Sequence, residues 1–314
     1  MAEQKDTLVS IISPIYGVEK FIKKFAISLF EQSYSHIEYI FVNDCTQDNS
    51  LFILKDVINQ YPQRKAMVTI VNKEKNEGLP QARKTGMQYA HGDYIMHLDS
   101  DDWVDNNMVT EMLEVALSSQ ADIVYADNFI ESTSIRYRSN PTFINSIDFL
   151  KAAFYMQVSA QTWSKLYKAE LFKKAPIIYP TANMHEDLCI NLQLFAQATS
   201  IKHLPKAFYH YRLNPNSLTQ NYNVISATEN LRTMWNYITI NNLDELKKPC
   251  MGFANYIKSM YCMHVWPHNK KLFKELWNIC PLSDKYIFSW NPTLRKKYRL
   301  YLYLLQFIHT KIDK

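Results

Sequence analysis

Residues 93–103, DYIMHLDSDDW, run from an apolar segment directly into three carboxylates, Asp99, Asp101 and Asp102. A short apolar run bounded in this way predicts a buried strand, and ordinary surface solvation does not explain three acids at its end. Three like charges within four residues repel one another, and a divalent cation relieves the conflict. Mg²⁺ and Mn²⁺ favour carboxylate oxygens and commonly use one or two protein carboxylates together with substrate phosphates. The competing reading is an acidic connection into a helix, with Asp105 as its N-cap.

Four further runs share the apolar character of this one: LVSIISPIY (8–16), IEYIFVND (37–44), MVTIVN (67–72) and ADIVYAD (121–127). Their near-continuous hydrophobicity and β-branched content predict strands buried on both faces, as in a parallel sheet covered by helices. Between them, Phe21, Phe25 and Leu29, then Leu51, Leu54 and Ile58, then Met108, Met112 and Ala116 recur at helical spacing. The alternation predicts an α/β fold, a mostly parallel sheet with right-handed crossovers that gathers ligands beyond the carboxyl ends of its strands. One helix stands out: after Gly78, Pro80 suits its first turn, and Ala82, Gly86 and Ala90 form a small-residue stripe for close packing on the sheet.

From 131 to 220 the pattern is mixed and loop-rich, with Trp163-Ser164-Lys165 and a helix starting near His185-Glu186-Asp187; 225–280 reads as mostly helical. The organisation expected is therefore 1–220 as one domain, in halves 1–130 and 131–220, followed by a helical region 221–314. The tail 290–314 combines Arg295, Lys296, Lys297 and Arg299 with an apolar-aromatic run too short to span a bilayer. It suits either an anionic membrane surface or packing on the domain.

Composition narrows the function. Five glycines among 314 residues leave no G-x-G-x-x-G and no G-x-x-x-x-G-K-[ST], so phosphate needs a metal or basic side chains rather than a backbone cradle. Cysteines at 45, 189, 250, 262 and 280 show no paired spacing and read as thiols of a reducing compartment. The first residues lack a basic n-region and an apolar h-region, which predicts cytoplasmic residence. A net charge of +5 is too modest to imply nucleic acid, and the oligomeric state is left open.

Two other acidic positions invite chemistry. Asp44, at the end of its run, is placed to accept a hydrogen bond from a base N–H, while Asp48 or Ser50 suits a helix cap. Glu186 and Asp187 open a helix, where the dipole stabilises an anion able to take a proton from an attacking hydroxyl. The alternative for that pair is a simple cap.

Taken together, VSIISPIYGVEKFIKKFAISLFEQSY, IEYIFVNDCTQDNS, NEGLPQARKTGMQYAHGDYIMHLDSDDW and the later W-S-K and H-E-D segments resemble glycosyltransferase family 2, the inverting, non-processive bacterial enzymes of GT-A fold, over residues 7–220. The resemblance implies that Pro14, Tyr16 and Glu19 border the nucleoside and Asp44 reads a base, typically uracil. It implies Arg83 near the nucleotide or diphosphate, Asp99 and Ser100 against the ribose and metal shell, and Asp101 as metal ligand with His210 a weaker candidate. Asp187 becomes the catalytic base with Glu186 as neighbour or substitute. Asn43 replaces the family's first Asp, Cys45 the glycine of the following turn, Gly17 the Asn after the opening Tyr, and Lys84 a frequent Asn. The function implied is transfer of a sugar from a nucleotide-sugar donor, typically UDP-linked, to a saccharide or lipid-linked saccharide acceptor, with Mn²⁺ or Mg²⁺, in cell-surface polysaccharide synthesis. A peripheral position on the inner membrane face fits the basic tail. Nucleotidyl transfer and a catalytically inactive nucleotide-sugar-binding protein are the alternatives; SPIYGVEK lacks the basic Gly-rich loop that the first would favour.

Overall fold

The five apolar runs become strands and the periodic stretches between them become helices. In the computed structural model, which describes residues 7–213, 224–265, 268–278 and 304, the chain opens β1 (Val9–Ile15), α1 (Ile22–Phe30), β2 (Ile37–Asn43), α2 (Ser50–Gln60), the one-turn α3 (Pro62–Lys65) and β3 (Val68–Asn72). It continues α4 (Leu79–Met87), β4 (Tyr94–His97), β5 (Trp103–Val104), α5 (Met108–Ser119), β6 (Ile123–Glu131), β7 (Ile135–Arg138), α6 (Ser146–Phe154) and β8 (Lys165–Lys168). The short α7 (Leu171–Lys174), α8 (Glu186–Gln197), β9 (Ile201–Arg212), α9 (Val224–Ile240), α10 (Asp244–Val265) and α11 (Lys270–Trp277) follow. The basic tail 290–314 lies outside the described residues except for Leu304.

Among the described residues, nine strands form one sheet in the order β3-β2-β1-β4-β8-β6-β9-β5, with β7 paired to β6 off this path. β1 runs parallel to both β2 and β4, and β2 parallel to β3, as the βα alternation predicts. Beyond β4 the sheet is mixed. β8 lies antiparallel between β4 and β6, and β9 runs parallel to β6 but antiparallel to β5. The expectation of a mostly parallel sheet holds through β4; β7, β8 and β9 come from the loop-rich segment, whose interrupted alternation carries no clear period. β1 is buried along its whole length, whereas β3 at the sheet edge leaves Thr69 exposed, so burial on both faces is confined to interior strands.

α4 shows why its stripe is small. A Cβ on Gly86 would lie 2.4 Å from Ile12 Cγ2 on β1 and 3.2 Å from Val42 Cγ2 on β2, so the helix touches the sheet where only hydrogen fits. On the other face of β1 and β2, α1, α2 and α5 bury Phe25, Leu29, Leu54, Met112 and Leu113 against Ile11 and Phe41. A second core gathers Phe149 and Phe154 of α6, Leu188 to Phe195 of α8, and Leu231, Met234 and Phe253 of the later helices. Helix α8 runs through its middle. Its two buried amides are therefore satisfied: Asn191 binds the Tyr167 hydroxyl and the Ala160 carbonyl, and Gln193 clips the backbone at Ile178. These bonds fix the loops on either side of the cleft described next.

Candidate active site

The carboxyl ends of β1, β2 and β4 open onto a cleft of about 840 Å³, closed on the far side by the loop before β8, the start of α8 and Phe253 of α10. Pro14, Tyr16, Asp44, Asp99, Ser100, Asp101, Glu186 and Asp187 all line it. Residues more than 140 apart in sequence thus share one space, because α8 inserts its N-terminus opposite the parallel strand ends.

At the end of β2, Asn43 Oδ1 accepts the Thr46 N–H and closes a tight turn in which Cys45 takes φ 62°, the left-handed conformation a glycine would adopt without strain. Asp44 follows the strand with its side chain 4% exposed. It receives the N–H groups of Gly78 at 2.8 Å and Glu77 at 3.1 Å, and the Lys73 ammonium at 2.7 Å. These occupy about three of a carboxylate's four acceptor positions and leave one for a ligand donor. Gly78 has φ +87°, and a Cβ there would sit 2.5 Å from Asn183 Oδ1. Glu19 lies elsewhere: its carboxylate accepts the backbone N–H and side-chain amide of Asn49 at the start of α2, and it does not line the cleft. The orphan N–H of a helix terminus captures it, which corrects its expected place beside the nucleoside.

The acidic run after β4 resolves its own repulsion in three ways. Asp102 turns inward, accepting the Tyr209 hydroxyl and the Arg212 N–H, and burial holds its carboxyl well above the usual range. Asp99 binds the Arg83 guanidinium at 2.7 Å while burial pushes its carboxyl upward. Asp101 faces the cleft and is pushed up to about 6, first by burial and then by the charge of Asp99, with Arg212 opposing. The Ser100 hydroxyl donates to the Pro14 carbonyl at 2.6 Å, tying β4 to β1. This donor set fits Mg²⁺ or Mn²⁺ in a shared mode: Asp101 and the second oxygen of Asp99 would hold the ion with ligand phosphates completing its shell. Among the described residues no group of three or more His, Cys, Asp or Glu side chains makes a full protein cage.

His210 is not part of that set. On β9 it is flanked in register by Trp103 of β5 and Phe129 of β6 and stacks against both rings. Its Nδ1 lies 2.9 Å from Glu131 and its Nε2 3.0 Å from Asp105. Both ring nitrogens are engaged, so neither is left for a metal. The expectation of His210 as ligand is corrected, and Asp105 serves this histidine while Asn107 stands at the N-cap position of α5 without a side-chain capping bond.

Arg83 is also placed differently from the sequence expectation. It is 0% exposed, beneath the cleft floor, with Nη2 on Asp99 at 2.7 Å and Nη1 on Asp187 Oδ1 at 2.6 Å. Its guanidinium is a strut joining two carboxylates, and it does not itself line the cleft. The Thr162 hydroxyl also donates to Asp187 Oδ1 at 3.0 Å, and Oδ2 takes no hydrogen bond among the described residues. Glu186 beside it is buried, and desolvation, reinforced by the charge of Asp187, holds its carboxyl well above the usual range. One carboxylate of the pair is thus clamped by a cation, and burial disfavours the charged form of its neighbour. His185 precedes them at φ 61°, its ring edge-on to Phe253 and held down to about 4 by burial.

Several residues in and around the cleft had no role readable in the sequence. Trp163 stacks on Tyr209 at 4.5 Å and lies near Tyr211, forming an aromatic wall. Lys165 is buried behind it, its ammonium donating to the carbonyls of Ser159 and Gln161, and burial brings it down to about 7. Arg138, at the end of β7, lines the cleft, and Arg212 lies 4.6 Å over the Phe21 ring, close enough to Asp101 to favour its anion. The W-S-K spacing marked the first two without revealing their roles.

Comparison with known proteins agrees with this geometry. The family model described as Glycosyl transferase family 2 matches residues 10–185. The chain is 37% identical over 222 residues to the uncharacterized glycosyltransferase EpsJ of Bacillus subtilis (strain 168), covering 68% of this chain and 63% of that protein. It is 27% identical over 230 residues to the glycosyltransferase GlyA of Streptococcus pneumoniae serotype 4, covering 68% of this chain and 32% of that one. It therefore spans less than two thirds of the length of either relative. The crystal structure of S. aureus TarS 1–349 in complex with UDP-GlcNAc superposes with a TM-score of 0.75 at 17% identity, covering 96% of this chain and 88% of that chain; the likeness is one of fold.

Proposed function

The chain belongs to glycosyltransferase family 2, and from that premise we propose that it moves a sugar from a nucleotide-sugar donor to a hydroxyl of a saccharide or lipid-linked saccharide, with inversion at the anomeric carbon. The observation that carries this reading is the convergence of Asp44, Asp101 and Asp187 on one cleft. A UDP-linked sugar is the donor we infer, in line with the UDP-GlcNAc held by the TarS structure.

Pro14 and Tyr16 border the nucleoside, and Asp44 takes a base N–H on its remaining acceptor position. Asp99 and Ser100 frame the ribose side, Ser100 by holding the backbone at Pro14 in place. The acceptor hydroxyl approaches Asp187 Oδ2, which removes its proton as the oxygen bonds to the anomeric carbon. The bond from that carbon to the diphosphate oxygen breaks, and its electron pair leaves with the nucleoside diphosphate. A divalent cation held by Asp101 and Asp99 would supply charge neutralisation of the diphosphate. Arg83 keeps Asp187 aimed, and Glu186 lines the cleft beside it. In the cell we place this reaction in surface polysaccharide synthesis, in the cytoplasm and at the inner membrane face, with 290–314 as the contact. No described helix is long and apolar enough to cross a membrane.

The test is a panel of nucleotide sugars scored by metal-dependent thermal shift and by hydrolysis or transfer. A UDP-sugar should stabilise the protein selectively, and Asp187→Asn should cut turnover by about 10²–10⁴-fold while sparing donor binding, the usual range for a general base. Unchanged turnover in that variant removes Asp187 from the role.

A further inference from the structure

Among the described residues, other basic side chains drawn in near the N-terminal sheet have their charge or their donors answered. Arg83 holds two carboxylates, Lys73 reaches Asp44 and Glu77, and Arg64 donates to the carbonyls of Phe30, Gln32, Tyr34 and Ser35. Arg138 differs. It is half-buried on the cleft wall, and among the described residues its side chain has no ion pair and no hydrogen bond. Its guanidinium is not closed off from solvent but opens onto the cleft, where a ligand can reach it.

Its surroundings increase the imbalance. Lys165 is close enough to Arg138 for the two cations to repel, and Lys165 binds only carbonyl oxygens. The carboxylate nearest in influence to Lys165 is Asp187, which is already bound to Arg83. On the Asp187 side of the cleft, Arg138 is thus a cation that no carboxylate answers among the described residues. At the opposite end the carboxylates already have cations: Lys73 at Asp44, Arg83 at Asp99 and Arg212 near Asp101. Beside Arg138 the wall is apolar, made of Ala153, Met156, Val158 and Phe253.

We propose that Arg138 recognises an anionic group, a phosphate or carboxylate, carried by the acceptor next to its reacting hydroxyl. This rests on the transferase reading above. A hydroxyl must reach Asp187 to lose its proton, so a group lodged against the neighbouring cations belongs to the acceptor rather than to the donor diphosphate. The planar fork of arginine pairs with two oxygens of a phosphate or carboxylate at once, and the half-buried site strengthens the bond by excluding water. The apolar wall then takes the uncharged face of the acceptor. Arg138 is thus a specificity determinant, and neutral saccharides are disfavoured because they leave its charge unanswered.

The full chain, saturated with UDP and Mg²⁺ so that the diphosphate position is filled, is titrated calorimetrically with glucose 6-phosphate, glucuronate, inorganic phosphate and methyl glucoside. At least one anionic probe should bind more tightly than methyl glucoside, and whether a phosphate or glucuronate binds better identifies the source of the charge. Arg138→Gln should weaken that binding by about ten- to a hundredfold, the range for one charge-assisted bond, with Arg138→Lys recovering part of it. UDP affinity should stay within about twofold in both variants, which also shows that they are folded. Equal binding of charged and neutral probes, or indifference to Arg138→Gln, overturns the inference and leaves the transferase reading intact. A tenfold loss of UDP affinity in the folded variant reassigns Arg138 to the donor and overturns it too. A wild-type chain that binds no nucleotide sugar and no UDP sinks both.

Discussion

Replacing Arg83 with Met keeps much of its volume in the floor beneath the cleft and removes its charge. The side chain is fully buried and makes two charge-assisted bonds, at 2.7 Å to Asp99 and 2.6 Å to Asp187, whose side chains are 21% and 17% exposed. Breaking a buried ion pair costs about 3–5 kcal/mol because it strands a buried charge, and partial solvation of the two carboxylates argues for about 3 kcal/mol here. The loss depends on pH. Burial already raises the Asp99 carboxyl and Arg83 is the strongest influence opposing it, so its folded-state value climbs further in the variant. A carboxyl raised in the folded state binds more protons folded than unfolded, so stability falls as pH rises from the unfolded value, near 4, through the folded one. Arg83→Met should therefore be most destabilised relative to wild type at pH 8, with the gap narrowing toward pH 4. Urea denaturation at the two pH values reads this directly. Turnover should fall about a hundredfold even where the protein stays folded, because Asp187 loses the contact that aims it. A stability difference below 1 kcal/mol at pH 8, or one that does not change with pH, would refute the view of Arg83 as the strut between these carboxylates.

Three further outcomes follow from individual residues. Asp101 is pushed up to about 6, so its ionisation destabilises the metal-free fold as pH rises from about 4 through about 6; Asp101→Asn should gain up to about 2 kcal/mol at pH 8 and nothing at pH 4, measured by urea melts in chelator, and no gain at pH 8 contradicts the burial argument. His210→Ala should lower stability by about 1–2 kcal/mol by removing a stacked ring and its bonds to Glu131 and Asp105, while leaving Mn²⁺ affinity unchanged in a UDP-bound titration; a tenfold loss of Mn²⁺ affinity restores it as a ligand. Gly86→Ala should cost about 1–3 kcal/mol through the 2.4 Å approach to Ile12 Cγ2, and a melting curve identical to wild type would show that α4 can lift off the sheet without penalty.

The parts of the fold that were legible from residue order are those made by local pattern. β1, β2, β3, β4 and the start of β6 coincide with the apolar runs, and α1, α2 and α5 with the periodic stretches, because strand and helix burial impose periods visible within a few residues. The carboxylate-rich strand ends were legible for the same reason, since a charge cluster directly after a buried run has few structural explanations. The later strands were not: β8 is four residues long and pairs antiparallel to both neighbours, and nothing in Lys165–Lys168 specifies that placement. Cys45 at φ 62° shows the converse, a position where the chain keeps a glycine-like turn despite the side chain because the Asn43–Thr46 bond closes it.

Sequence alone determined that this chain builds an α/β sheet whose strand ends present Asp44, Asp99 and Asp101, and that an acidic pair opens a later helix. Only the tertiary structure decided which of these groups meet, and with what partners. Arg83 and Asp187 are 104 positions apart, as are His210 and Asp105 by 105, and no spacing rule reaches so far. Periodicity reports how a segment meets solvent or core, whereas the partner of a buried charge is set by which elements fold against each other, so Arg83 became a strut, Glu19 a cap and His210 a member of the sheet.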